Sequence, residues 1–221
     1  MHQQKQKPVL VVSIKAPGKL LLKFTGIVTT HLTMKNIILS VLILFFCFKA
    51  EAQTGKEIFW QELQKLCGKA FEGKVLIAPP NDTGFVGKTL QMHVRGCEEN
   101  RIRIPFHVGN NFSRTWVLTN QKEGLLLKHD HRHEDGTPDR ITMYGGLSTN
   151  SGTNVMQIFP ADQETVDLLP RAATNVWWMT LSPGKSFTYN LRVIGSDRQF
   201  SIEFDLTREI QPPPAPWGWR E

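Results

Sequence analysis

This chain of 221 residues lacks any surplus of one charge sign in its body. The formal net charge is +6, but seven lysines and a single acid fall within residues 1–52, and the remainder carries nineteen basic and nineteen acidic residues. A neutral body has no electrostatic footprint for DNA, RNA or anionic lipid, which argues against nucleic acid as a partner. Cysteine is equally scarce, at three residues. No Cys-x-x-Cys, no Gly-x-Ser-x-Gly elbow, no phosphate loop and no dinucleotide fingerprint occurs, so the common nucleotide-dependent and serine-hydrolase chemistries have no signature here. What remains is a chain with 40% apolar and 21% charged residues, suited to one domain of ordinary globular composition.

The amino-terminal region reads as a leader. Met34, Lys35 and Asn36 precede a largely apolar run from Ile37 to Phe48, followed by Ala50-Glu51-Ala52. A short basic region, an apolar core and small residues at −3 and −1 form the secretory signal pattern, with cleavage expected between Ala52 and Gln53. The run falls short of the ~20 residues that cross a bilayer, so no permanent anchor is expected once it is removed. Phe45 and Phe46 before Cys47 occupy positions where a lipoprotein site wants small residues. Residues 1–33 then read as a mis-assigned upstream start, the alternative being a cytosolic tail on an uncleaved anchor.

Export leaves Cys67 and Cys97, an even pair that in an oxidising compartment reads as a disulfide. Thr54-Gly55-Lys56-Glu57 has the form of a capping box, and Phe59, Leu63, Leu66 and Ala70 follow at helical spacing. Beyond this helix the period becomes two. Leu90, Met92 and Val94 alternate with polar residues, as do Ile102, Ile104, Phe106 and Val108, and eight further runs follow, among them Arg114–Thr119, 124–133, Arg140–Tyr144 and Val176–Leu181. One later stretch, Gln163–Ala172, has a helical pattern. About ten strands joined by short connections must be antiparallel and close most readily into a barrel, with a β-sandwich as the alternative. The single domain is expected over residues 53–211, followed by a Pro/Trp-rich tail over 212–221, whose prolines exclude a central strand and whose two tryptophans are expected to dock on the domain. Of the pair Trp177-Trp178, one ring should enter the core and the other lie outside.

One cluster carries chemistry. Three histidines alternate in His129-Asp130-His131-Arg132-His133, sharing parity with Leu125 and Leu127, whereas Lys128, Asp130, Arg132 and Glu134 have the opposite parity. The charged row should face water and the imidazoles should extend the apolar wall inward. Placing Glu134 opposite Arg140 pairs His133 with Ile141, His131 with Met143 and His129 with Gly145, while Tyr144 falls outside beside Asp130. Gly145 would then leave room beside His129 for a ligand. His93 and His107 share the parity of Arg95 and Arg103 and are expected at the surface.

Three roles compete for the row. Any two of His129, His131 and His133 could share a Zn, Cu or Fe ion, since imidazoles at i and i+2 lie about 7 Å apart at Cβ. Alternatively the row, with Met143 and Gly145, lines the polar mouth of a small-molecule cavity, or one imidazole ligates a haem iron. The third role is a polar network that stabilises a hairpin.

The stretch from Leu127 through His129-Asp130-His131-Arg132-His133-Glu134-Asp135-Gly136-Thr137-Pro138-Asp139 to Gly146 resembles a motif of secreted bacterial proteins of unassigned activity, as do Gln157–Asp162 and Phe204–Thr207. In architecture the chain is similar to calycin barrels such as lipocalins, fatty-acid-binding proteins and nitrobindin-like haem proteins, without the lipocalin Gly-x-Trp near the first strand. Residues and resemblance together imply an exported, non-enzymatic, mainly β, calycin-like barrel that binds a small molecule. A metal-dependent enzyme and a structural envelope protein are the alternatives.

Overall fold

A computed structural model describes residues 53–149 and 152–220; the expected leader, residues 34–52, and the segment before it lie outside the described residues. Helix α1 (Gly55–Gln64) starts at Thr54 with both bonds of a capping box: the Thr54 amide donates to Glu57 Oε2 at 2.8 Å and the Glu57 amide donates to Thr54 Oγ1 at 3.3 Å. Its buried face, Phe59, Trp60 and Leu63, joins the main core.

The strands follow as β1 (Ala70–Ile77), β2 (Leu90–His93), β3 (Gly96–Cys97), β4 (Arg101–Val108), β5 (Asn111–Asn120), β6 (Leu125–His131), β7 (Tyr144–Leu147) and β8 (Met156–Pro160). Helix α2 (Gln163–Leu168) and a 3-10 turn (Pro170–Ala172) then lead into β9 (Asn175–Ser182), β10 (Ser186–Val193) and β11 (Gln199–Ile210). The sheet order is β7-β6-β5-β4-β2-β1-β11-β10-β9-β8, antiparallel throughout, with β3 paired to β4 at the side. Apart from β3, strands adjacent on this path follow one another in sequence, and β1 joins the last strand. The result is an antiparallel, ten-strand, nearly closed barrel, as the alternating pattern requires.

Closure occurs where β7 meets β8. The Asp162 amide donates to Gly145 O at 3.0 Å and the Thr149 amide to Ile158 O at 3.4 Å. The approach is close enough that a Cβ at Gly146 would collide with the Pro160 carbonyl, so this position requires glycine. Outside the seam, the Thr165 hydroxyl accepts from the Gly145 amide at 2.6 Å and donates to the Gly145 carbonyl at 2.8 Å. Thr165 belongs to α2, so this short helix locks β7 in place.

The interior is aromatic. Phe106, Trp116, Tyr189 and Phe204 stack or meet edge to face, with Trp116 4.5 Å from the Tyr189 ring. Trp177 is buried and Trp178 half-exposed, as alternation on β9 demands. The tail packs on the domain: the Trp217 amide donates to Phe112 O at 3.1 Å, and the Trp219 ring lies 4.2 Å from the Arg103 guanidinium.

Cys67 and Cys97 form a disulfide across 30 residues, tying the end of the α1 region to β3. The Cys67→Ser, Cys97→Ser double variant should lose about 3–4 kcal/mol of stability. A denaturant midpoint unchanged from that of the oxidised wild type would show that the crosslink constrains little.

Candidate functional site

The candidate site is the end of the barrel opposite α1. There the β1–β2 loop, the start of β5, the end of β6, the start of β7, the α2 region and the β10–β11 turn surround a cavity of about 600 Å³. Its lining includes Phe85, Arg114, His131, Tyr144, Trp177 and Tyr189. The loop over it is set by Asp82, whose carboxylate accepts from the Phe85 and Val86 amides at 2.8 and 3.1 Å, bringing the Phe85 ring 4.4 Å from that of Phe200. A second recess of about 650 Å³ lies on the outside of the barrel, between the Asp135–Pro138 loop and the tail. The motif residues there are consumed holding the loop: Arg132 donates to Asp130 at 3.0 Å and to Gly136 O at 3.1 Å.

The histidine row enters the barrel end as a gradient. His129 is 4% exposed, His131 is half-buried and His133 is exposed. His129 Nδ1 lies 3.0 Å from the Tyr144 carbonyl and Nε2 lies 2.7 Å from the Tyr189 hydroxyl. A carbonyl only accepts, so Nδ1 carries the proton and Nε2 accepts from the phenol, which fixes the neutral tautomer. Burial opposes a charge here and pushes the His129 pKa down to about 3. His131 Nε2 lies 3.0 Å from the Tyr144 hydroxyl. Burial, with the neighbouring Arg114 guanidinium, pushes its pKa down to about 4. Tyr144 itself is pushed up to about 12 by burial and remains a phenol.

Several expectations are corrected by the register. β6 and β7 pair Lys128 with Gly145 and His129 with Tyr144, one residue away from the expected alignment. The cause is local: Met143 sits at φ 57°, and Asp139–Met143 is irregular rather than a strand. Thr142 stands in for the ladder, its Oγ1 accepting from the His131 amide at 2.7 Å. Tyr144 therefore points inward and stacks on His129 with ring centres 4.7 Å apart. Met143 is 45% exposed and does not line the cavity. Gly145 leaves no ligand room, because a Cβ there would collide with the Leu127 carbonyl.

Lys128 was expected in water and is buried, with Nζ 2.7 Å from Asp162 and 2.8 Å from Glu164. Burial opposes its charge, but these two hydrogen bonds outweigh it and raise its pKa. His93 and His107, expected at the surface, are also buried. Their outward parity holds, but the outer face is covered: Phe112, under Trp217, lies 4.6 Å from the His107 ring. His93 lies against Gly68 in the connection between α1 and β1.

Metal binding by any pair of the row that includes His129 meets a chemical obstacle. Both His129 nitrogens are committed, and a ligating nitrogen needs a free lone pair. Among the described residues no group of three or more His, Cys, Asp or Glu side chains is placed to hold an ion. For a haem iron, the inward imidazole with an uncommitted nitrogen is His131, through Nδ1. The Cys67–Cys97 pair is structural.

Arg114 was missed at the sequence level. Its parity matches Trp116 and Leu118, and it pairs with His131 across β5 and β6, so the signal was available in the alternation. Comparison of the chain with protein-family models, curated proteins and solved structures gives no significant match.

The neutral histidines make stability pH-dependent. In the unfolded chain they titrate near 6.5, so above that pH both states are uncharged and stability is at its full value. As pH falls below about 6.5 the unfolded chain takes up protons that folded His129 and His131 refuse until pH 3–4. Denaturant unfolding between pH 7.5 and 4.5 should show stability falling with acid, by up to ~1.4 kcal/mol per pH unit for each such histidine. His129→Gln should shallow that slope by about one proton, and an unaltered slope would contradict the assignment.

Proposed function

We propose that the protein is an exported, non-enzymatic barrel that binds a small amphipathic molecule in the mouth cavity. The observation carrying this reading is the cavity itself, a space of about 600 Å³ walled by aromatic rings and closed below by the His129–Tyr189 hydrogen bond. Apolar walls with a few convergent polar groups are the usual chemistry of a small-molecule site. His131 and Tyr144 supply those groups at one side. The hairpin-stabilising role also has support, from Thr142 in the loop and Asp130 on β6, but that network lies beside the cavity and does not fill it.

Export is supported by the signal-like pattern ending at Ala52 and by the disulfide, which belongs to oxidising compartments. No helix among the described residues is long and apolar enough to cross a membrane. Amino-terminal sequencing of the exported protein should give Gln53 as the first residue, and a chain still beginning at Met1 or Met34 would overturn the leader assignment.

The cavity is tested with the neutral fluorophore N-phenyl-1-naphthylamine. Wild type should bind one equivalent with enhanced emission. Leu191→Trp, which fills the space from β10, should abolish binding while keeping the unfolding free energy within about 1 kcal/mol of wild type. Equal binding by the folded variant would place the probe elsewhere and refute the reading.

A further inference from the structure

The charge distribution of the mouth goes further than its shape. Three arginines, Arg114, Arg171 and Arg198, line the cavity, and the acid among its lining residues is Asp82. The Asp82 carboxylate is engaged by the Phe85 and Val86 amides and makes no ion pair with a described arginine. Arg171 and Arg198 are exposed at the rim, whereas Arg114 is half-buried on the inward face of β5.

Arg114 is held ready rather than satisfied. Its Nη1 donates to Asn111 Oδ1 at 2.8 Å and to Ser113 Oγ at 3.4 Å, and Asn111 Oδ1 is itself fixed by the Ser113 amide and hydroxyl. Its Nη2 and Nε donate to none of the described residues, and no described carboxylate lies within ion-pair distance. The guanidinium sits 5.7 Å from the Phe85 ring centre, in the same wall as His131 and Tyr144. A guanidinium withdrawn from water is normally paired, and its open fork matches a carboxylate. Around it the rings of Phe85, Trp177, Tyr189 and Phe200 offer flat apolar contact.

We propose that the mouth takes a small aromatic molecule bearing one carboxylate, the carboxylate seated on the free edge of Arg114 and the ring against the aromatic wall. The proposal rests on the mouth cavity being the binding site. The Tyr144 hydroxyl and a His131 ring N–H are the neighbouring donors available to the carboxylate, which only accepts, and Arg171 and Arg198 draw the anion toward the opening.

The test compares two ligands of one shape, 1-naphthylacetate and neutral 1-naphthylacetamide, by calorimetry on the full mature chain at pH 7.5. Wild type should bind the acetate roughly ten- to a hundredfold more tightly than the acetamide, the range expected of a charge-assisted pair. Arg114→Gln should bring the acetate to the affinity of the acetamide and leave the acetamide within about twofold. Arg198→Gln, at the exposed rim, should weaken the acetate only about two- to threefold. Acetamide bound as tightly as acetate by wild type would overturn the carboxylate assignment while leaving the cavity in place. Binding of neither would overturn both. Should Arg114→Gln not fold, Arg114→Lys, which keeps the charge and loses the planar fork, should cut the preference for the acetate at least several-fold, and an unchanged preference would remove the guanidinium from it.

Discussion

A neutral imidazole spans the interior of this barrel, and the mouth is built on it. His129 reaches from β6 to the Tyr189 hydroxyl on β10, which lies well around the sheet, and returns its other nitrogen to the Tyr144 carbonyl at the start of β7. Three strands are thereby fixed by two hydrogen bonds in the buried interior. Both bonds require one tautomer, and the imidazolium would leave the phenol without an acceptor. Beyond this bridge, away from the mouth, lie the fully buried Leu118, Leu125 and Leu127. Above it the wall becomes polar and the volume opens. The bridge is therefore the floor of the mouth.

The floor depends in turn on the seam. Tyr144 can present its carbonyl and ring to His129 only if β7 is held tightly at its outer side. Gly145 and Gly146 allow the backbone of β7 to approach β6 and β8 without side chains, while Thr165 clamps it from α2. Lys128 anchors the same helix through Asp162 and Glu164. With Lys128 buried, removing one acid would leave a cation without a full set of partners, a costly state. The ion pairs thus act as a strap over the closure, and the geometry of the site is set from outside the barrel as well as within.

Alternation made the architecture legible. The capping box, the helix and nearly every strand could be read from Thr54, Glu57 and the period-two runs, because burial on one face leaves no freedom in which residues point inward. The inward sense of His129 was legible for the same reason. Two kinds of information were not. Register across the β6–β7 connection depends on one residue, Met143, adopting a left-handed backbone, and nothing in a Thr-Met-Tyr sequence announces it. Parity also distinguishes the two faces of a strand without saying whether the outer one meets solvent. Lys128, His93 and His107 all have outward parity and all are covered, by α2, by the α1–β1 connection and by the tail respectively. Arg114 shows the converse: a charged residue at inward parity looks like a strand terminus in the sequence, yet it belongs to the wall.

That position shows how a neutral body can still gather positive charge at one place. The arginines around the mouth come from β5, the α2 region and the β10–β11 turn, segments far apart in the sequence, so no composition window registers them as a patch. Two of them are solvated at the rim and cost little. The third is withdrawn beside Phe85, where burial already lowers its pKa, and its Asn111 anchor is neutral. Asn111 orients the guanidinium without neutralising it. A carboxylate in that place would satisfy the fold and close the fork; an amide leaves the charge unneutralised and Nη2 and Nε without a partner among the described residues.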